Sequence, residues 1–167
     1  KKIYAHPRLL YPRLFALKNG RIKKIGSPYN ERELKEAGAE FVMLDSFTSI
    51  WPGVYVSGEI PRVNDFEDVG GKFQVEIGGQ AVADALPDDM ALIIDHPQGL
   101  IIVSGCAHAG LINIMTHALQ MTGRSKILAY IGGTHLLTAS SHRLDRTVAA
   151  LKDFSVERLI VAHCTGF

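Results

Sequence analysis

Cysteine is scarce in this chain. Cys106 and Cys164 are too few for a disulfide framework, which suits a reducing compartment and makes the cytoplasm the expected location. Neither sign of charge is in excess. With 18 basic and 17 acidic residues the formal net charge is +1, whereas nucleic-acid or membrane-surface partners require a basic face. Long hydrophobic runs are missing as well: Gly, Asp or His interrupts each one, so no segment reads as a bilayer span. The opening Lys1-Lys2-Ile3-Tyr4-Ala5-His6-Pro7 has no initiating Met and no apolar core of a secretory signal, and reads as a strand. There is no Gly-x-Ser-x-Gly elbow, no phosphate-binding P-loop and no dinucleotide fingerprint; Gly78-Gly79 and Gly132-Gly133 read as isolated pairs. Asp84, Asp88, Asp89 and Asp95 lack the spacing of a catalytic carboxylate pair.

What is present is a globular mixture, 47% hydrophobic and 21% charged, enough apolar material for a sizeable core. The opening strand is stopped by Pro7, because the residue before proline is biased away from helix. Asn19-Gly20 predicts a turn between two apolar-periodic pieces. Residues 30–38 predict a short helix, with Asn30 as N-cap, Glu31 and Glu33 at the positive end of the dipole, and Gly38 at C′. Strands are expected at 41–44 and, after a Trp51-Pro52-Gly53 turn, at 54–56. Residues 60–87 are rich in Gly, Asp and Pro and predict a long excursion with short strands, a length that usually signals function. Beyond it the pattern is regular. Strands 91–94 and 100–103 form a hairpin around Pro97-Gln98-Gly99, followed by a helix at 111–122, a strand at 127–131, a helix at 143–154 and a strand at 158–162. This alternation predicts an α/β class (α+β in some schemes) with sheet at the centre.

Three histidines share one structural address. His108, in Ser104-Gly105-Cys106-Ala107-His108-Ala109-Gly110, His135, in Gly132-Gly133-Thr134-His135, and His163, in Ala162-His163-Cys164-Thr165-Gly166, each lie just past a strand among small residues. Ligands gather at the carboxyl ends of strands in open α/β sheets, and imidazole is the commonest protein ligand for zinc. A single such histidine reads as a loop residue bonded to a carbonyl; three at equivalent strand ends read as candidate metal ligands converging on one centre. His6, His96, His117 and His142 read as packing, turn or helix-surface positions. Cys106 and Cys164 could bind zinc as thiolates, but read more simply as small residues lining the site. Arg62, Lys72 and Arg143 could meet an anionic group such as a phosphate, or be solvated surface charges.

These three segments resemble the later metal motifs of the metallo-β-lactamase superfamily. The branch they are most similar to is that of the 7,8-dihydropterin-6-yl-methyl-4-(β-D-ribofuranosyl)aminobenzene 5′-phosphate synthases. Tyr4-Ala5-His6-Pro7, Glu36-Ala37-Gly38-Ala39-Glu40, Pro52-Gly53-Val54-Tyr55 and Gly58-Glu59-Ile60-Pro61-Arg62 extend the resemblance over essentially the whole chain. The resemblance implies part of an αββα sandwich, with residues 1–167 as the C-terminal portion of a single domain. It implies His108 as a ligand of a first metal and His163 of a second, with His135 where most of the superfamily has a bridging Asp. The His-x-His-x-Asp-His motif is absent from these residues, and so are the strand and helix expected after Phe167.

The family implies two metals per complete domain, zinc first, with iron or manganese as alternatives. The implied reaction is hydrolysis by metal-bound hydroxide on a small-molecule substrate, phosphorylated if the pterin branch is the right one. No residue is assigned a catalytic role beyond ligation, and this chain alone is expected to be inactive, since a catalytic zinc needs about three protein ligands. Two other readings stand beside this one. One is a non-catalytic half-domain that folds against a partner or a second copy, as a homo-oligomer; the other, ranked lower, is a di-iron oxidoreductase.

Overall fold

The computed structural model describes residues 1–166 and contains twelve strands, three α-helices and a terminal 3-10 turn. β1 (Lys2–Ala5) pairs in parallel with β4 (Glu40–Met43), and α1 (Glu31–Glu36) lies between them in sequence. The Asn30 side chain accepts from the Glu33 amide at 3.0 Å while the Glu33 carboxylate accepts from the Asn30 amide at 2.9 Å, a complete capping box. Gly38, at φ +89°, stops the helix where it was expected to stop.

A four-stranded antiparallel sheet has the order β3-β2-β7-β8, built from β2 (Arg13–Ala16), β3 (Ile22–Lys24), β7 (Phe73–Ile77) and β8 (Gln80–Ala83). The last two come from the long excursion and are joined by Gly78-Gly79, both at positive φ, in a two-residue hairpin turn. So the pair read as isolated glycines has a turn to make. Buried Arg13 ties this sheet to the end of the excursion, donating to Asp84 and Asp88 at 2.7 Å each.

The main sheet has six strands in the order β12-β11-β10-β9-β6-β5. These are β5 (Thr48–Trp51), β6 (Val54–Val56), β9 (Ala91–His96), β10 (Gly99–Ser104), β11 (Ile127–Gly132) and β12 (Val156–Val161). Trp51 therefore ends a strand, and Pro52-Gly53 alone makes the turn. β9 and β10 form the expected hairpin; β10, β11 and β12 run parallel. α2 (Leu111–Thr122) lays Leu111, Ile114, Met115 and Ala118 against Ile93, Leu100, Ile102, Ile127 and Tyr130, and this cluster is the core. Its C-terminus closes on Gly123 in the left-handed region.

The N-terminus of α2 has no side-chain cap of its own. Glu67 supplies one from the excursion, its carboxylate accepting from the amides of Ile112 and Asn113 at 2.9 Å each. Gly110 must be glycine for this, because a Cβ there would lie 2.3 Å from Glu67 Oε2. α3 (Ser141–Asp153) starts at Ser140, whose hydroxyl accepts from the Arg143 amide. Among the described residues no helix is long and apolar enough to cross a membrane.

Candidate metal centre

β10, β11 and β12 are neighbours in one sheet and point the same way, so their three following loops leave a single edge. Those loops carry His108, His135 and His163. Hydrogen bonds between strand ends hold the edge together. Gly133 N–H donates to Gly105 carbonyl at 2.8 Å, Ala162 N–H to Gly132 carbonyl at 3.1 Å, and Leu137 N–H to Cys164 carbonyl at 3.1 Å. Buried Tyr130 donates its hydroxyl to the Gly133 carbonyl at 2.6 Å and meets Ser104 Oγ, joining the ends of β10 and β11 from beneath. Gly132-Gly133 is required by this closeness: Cβ atoms would fall 2.2 Å from Ser104 carbonyl and 2.8 Å from Cys164 Sγ.

Backbone strain is concentrated at the same edge. Ala107, His135 and His163 have φ of +59°, +50° and +59°, and Leu86 is the other non-glycine residue with positive φ among those described. Left-handed conformations at non-glycine residues cost on the order of 1–3 kcal/mol each and persist where surrounding structure imposes them, often at functional sites.

The three histidines divide into a pair and a singleton. The rings of His108 and His135 lie 4.1 Å apart between centroids. His108 bonds through Nδ1 to the Val69 carbonyl at 2.8 Å and packs edge-on against Phe73 at 5.0 Å. With Nδ1 donating, its Nε2 lone pair is free. His135 bonds through Nε2 to the Gly70 carbonyl at 3.3 Å, and its Nδ1 is buried with no hydrogen-bond partner among the described residues. Burial holds both imidazoles below the ordinary histidine range, and for His135 the neighbouring His108 adds to the effect. Neutral rings with an unused nitrogen are what a metal site requires.

His163, exposed, stands instead with the cysteines. Its Nε2 is 3.1 Å from Cys106 Sγ, and the ligand atoms of Cys106, His163 and Cys164 all lie within 4.8 Å of one another. This is the one His/Cys/Asp/Glu group of three within metal-binding reach among the described residues. Cys164 Sγ also accepts from the His135 amide at 3.3 Å, linking the two groups. Burial, with Cys164 beside it, pushes the Cys106 thiol up to about 11. An imidazole and two sulfurs form a donor set suited to zinc and other thiophilic ions.

Other polar residues around the edge act on these loops. Asp89 accepts from the Ala109 amide at 2.7 Å, next to His108, and burial raises its carboxyl from an ordinary 3.8 to about 6. Arg62 spends its guanidinium on two carbonyls, those of His108 at 2.6 Å and Ala85 at 2.5 Å, and so braces the loop. Lys72 is exposed. Arg143 is buried behind His135 and bonds Asp68. Thus the three cations that a sequence reading treats alike have three different settings.

His6 is buried between Glu59 and the Arg8 amide, and His96 accepts from the Gln98 amide. His142 is exposed on α3. His117 is no surface residue: it is half-buried, bonds the Ser57 carbonyl at 3.1 Å and packs against Phe47. The roles of Glu67, Asp89 and Tyr130 were not singled out from sequence, and no local pattern announces them, since each depends on partners brought in by the fold.

No protein-family profile matches the chain. It is 33% identical over 143 residues to 7,8-dihydropterin-6-methyl-4-(β-D-ribofuranosyl)-aminobenzene-5′-phosphate synthase of Methanocaldococcus jannaschii, covering 82% of this chain and 48% of that protein. It is 32% identical over 142 residues to an uncharacterised protein of the same organism, covering 82% of this chain and 51% of that protein. The chain therefore spans about half the length of the curated relatives it matches. The crystal structure of a metal-dependent hydrolase of the β-lactamase superfamily superimposes with a TM-score of 0.84 at 24% identity, covering 99% of this chain and 61% of that one. The observed sheets and helices are thus those of a metallo-β-lactamase fold. Over the half of its relatives' length that it spans, the chain is similar to them in sequence and has the metallo-β-lactamase fold.

Proposed function

We propose that this chain supplies the later ligand loops of a metal-dependent hydrolase of the metallo-β-lactamase fold, acting on a small phosphorylated substrate of pterin biosynthesis. The observation that carries the reading is the common edge of β10, β11 and β12. Strained backbone there presents His108 and His135 as a neutral pair with unused nitrogens, and His163 beside them with two sulfurs. The donor set fits a divalent metal, zinc first among candidates, with iron or manganese as alternatives for the histidine pair. A divalent metal there supplies Lewis-acid chemistry. The chain's own groups do the positioning. Val69 and Gly70 carbonyls orient the two rings, Asp89 and Arg62 hold the His108 loop from either side, and Phe73 shields the His108 ring. The synthase among the relatives is named for a 5′-phosphate compound, which favours a phosphorylated substrate here.

In this reading residues 1–167 are the C-terminal portion of one domain, and the His-x-His-x-Asp-His ligands lie outside them. A second reading, a non-catalytic half-domain that associates with a partner or second copy, is favoured by β12. That strand forms one edge of the main sheet and leaves Leu159, Ile160 and Val161 exposed.

Metal content by elemental analysis separates these readings. The chain is compared with the same protein carrying whatever precedes Lys1 in its gene. About two metals in the longer protein and almost none in this chain support the proposed split site. Tight stoichiometric metal in this chain alone refutes that division and assigns ligation to the Cys106–His163–Cys164 group. No metal in either form leaves the half-domain reading.

A further inference from the structure

We infer that the cavity between the Asp68–Gly71 turn and the start of α3 is an oxyanion subsite for a phosphate monoester, with Arg143 as its cation. The cavity measures about 370 Å³ and is lined by Asp68, Gly70, Gly71, His135, Ser140 and Arg143 among others. It therefore opens directly beside a candidate metal ligand. The inference deepens the proposed function and rests on it only in assigning the anion to the substrate.

Arg143 is 3% exposed, and only one of its terminal nitrogens is in use. Nη1 donates to the Asp68 carbonyl at 3.1 Å and to Asp68 Oδ1 at 2.9 Å. Nε and Nη2 are buried and have no partner among the described residues. Those two N–H groups form the side-on edge of the guanidinium, the edge that meets two oxygens of a phosphate in parallel. A buried guanidinium edge without an acceptor is costly, so an idle one beside a cavity points to an absent acceptor.

The helix adds independent attraction. α3 has 13 residues, and its N-cap Ser140 lines the cavity. The amides of Ser141 and His142 have no intrahelical acceptor, the dipole is positive at this end, and no acidic residue occupies the first turn to neutralise it. Gly70 and Gly71 line the cavity with backbone alone. Asp68 is the one carboxylate in the lining; it is largely exposed and already bonds Arg143 Nη1 and the Gly70 amide at 2.7 Å. An anion on the Nε–Nη2 edge leaves that clamp in place. The competing occupant is a buried water shared with Thr147, one turn along α3, whose hydroxyl is likewise buried and unpartnered.

The test is a titration of the metal-free chain, in chelator, with inorganic phosphate and with methyl phosphate at constant ionic strength, read by ¹H–¹⁵N NMR. Saturable shifts of the Arg143 Nε–H resonance and of the Gly70, Gly71 and Ser141 amides are expected with both ligands. Arg143→Gln should abolish them. Because that residue is buried and the variant could misfold, Thr138→Glu serves as a second probe. Thr138 is an exposed residue of the lining, so a carboxylate there should weaken binding at least about tenfold, while Thr138→Gln stays within about twofold. No saturable shift, or equal shifts in Thr138→Glu and Thr138→Gln, overturns the inference and leaves the edge to water. Binding of inorganic phosphate alone overturns the monoester assignment. Since no metal is present, failure here is distinct from failure of the metal-centre reading.

Discussion

Replacing Asp89 by Asn should stabilise the protein near neutral pH, and the size of the gain follows from burial. The Asp89 carboxyl is enclosed beside Ala109, and its one short backbone hydrogen bond does not offset the loss of water, so it titrates near 6 instead of 3.8. At about 1.4 kcal/mol per pH unit, the ionised form is disfavoured in the fold by about 3 kcal/mol. The sign is opposite to that of a salt-bridged aspartate. A raised carboxyl favours the fold fully below 3.8, and this contribution fades as pH climbs through 3.8 towards 6. Asn keeps the acceptor for the Ala109 amide and carries no charge to bury. Urea unfolding of both proteins from about pH 4 to about pH 8 should therefore show near-equal stability at the acid end. The variant should then lead increasingly, by about 3 kcal/mol above pH 6. Groups common to both proteins cancel in the difference. Parallel curves across this window, or a wild type that gains on the variant as pH rises, would refute the argument from desolvation.

Two further substitutions probe the strand-end scaffold. Tyr130→Phe keeps the ring in the core but strips the donor from the Gly133 carbonyl and the partner from Ser104, and should cost about 1–3 kcal/mol by urea midpoint; a loss of only a few tenths would mean that water takes over these bonds. Gly70→Ala puts a methyl group 2.0 Å from His135 Cδ2 at φ +74°, so the His135 imidazole resonances should move. Gly53→Ala, at φ +73° but with its nearest atom 3.6 Å away, should destabilise by about 1 kcal/mol and leave His135 unmoved.

Much of the fold is legible along the chain because its causes are local. Residues 111–122 form a helix as their apolar spacing predicts, and Asn30 with Glu33 makes the capping box that fixes α1. The β9–β10 hairpin follows from two apolar runs around a proline turn. β5 escaped because its short run ends in Trp51, which the adjacent Pro52-Gly53 drew into the turn. The candidate site is legible only as three loops. That His108 and His135 sit ring to ring while His163 keeps company with sulfur depends on side-chain directions and left-handed backbone, which strand spacing does not encode. Arg143 is the sharpest case. Arg143 and Thr147 share one face of α3 at helical spacing, which marks a face and not its depth; the Asp68 turn that covers it lies 75 residues away.

The three parallel strands also act as a ruler. Adjacent strands stand about 4.8 Å apart, a distance set by backbone hydrogen bonds and indifferent to side chains. The spacing at which the three loops leave the edge is thus inherited from the sheet, while the direction of each side chain is set by the loop itself. His-to-Asp, His-to-Cys or His-to-Gln exchanges at positions 108, 135 and 163 would change the donor chemistry at the edge without altering the pitch at which the loops leave the sheet. Such an edge can be retuned chemically over evolutionary time, or at the bench, with its scale kept constant.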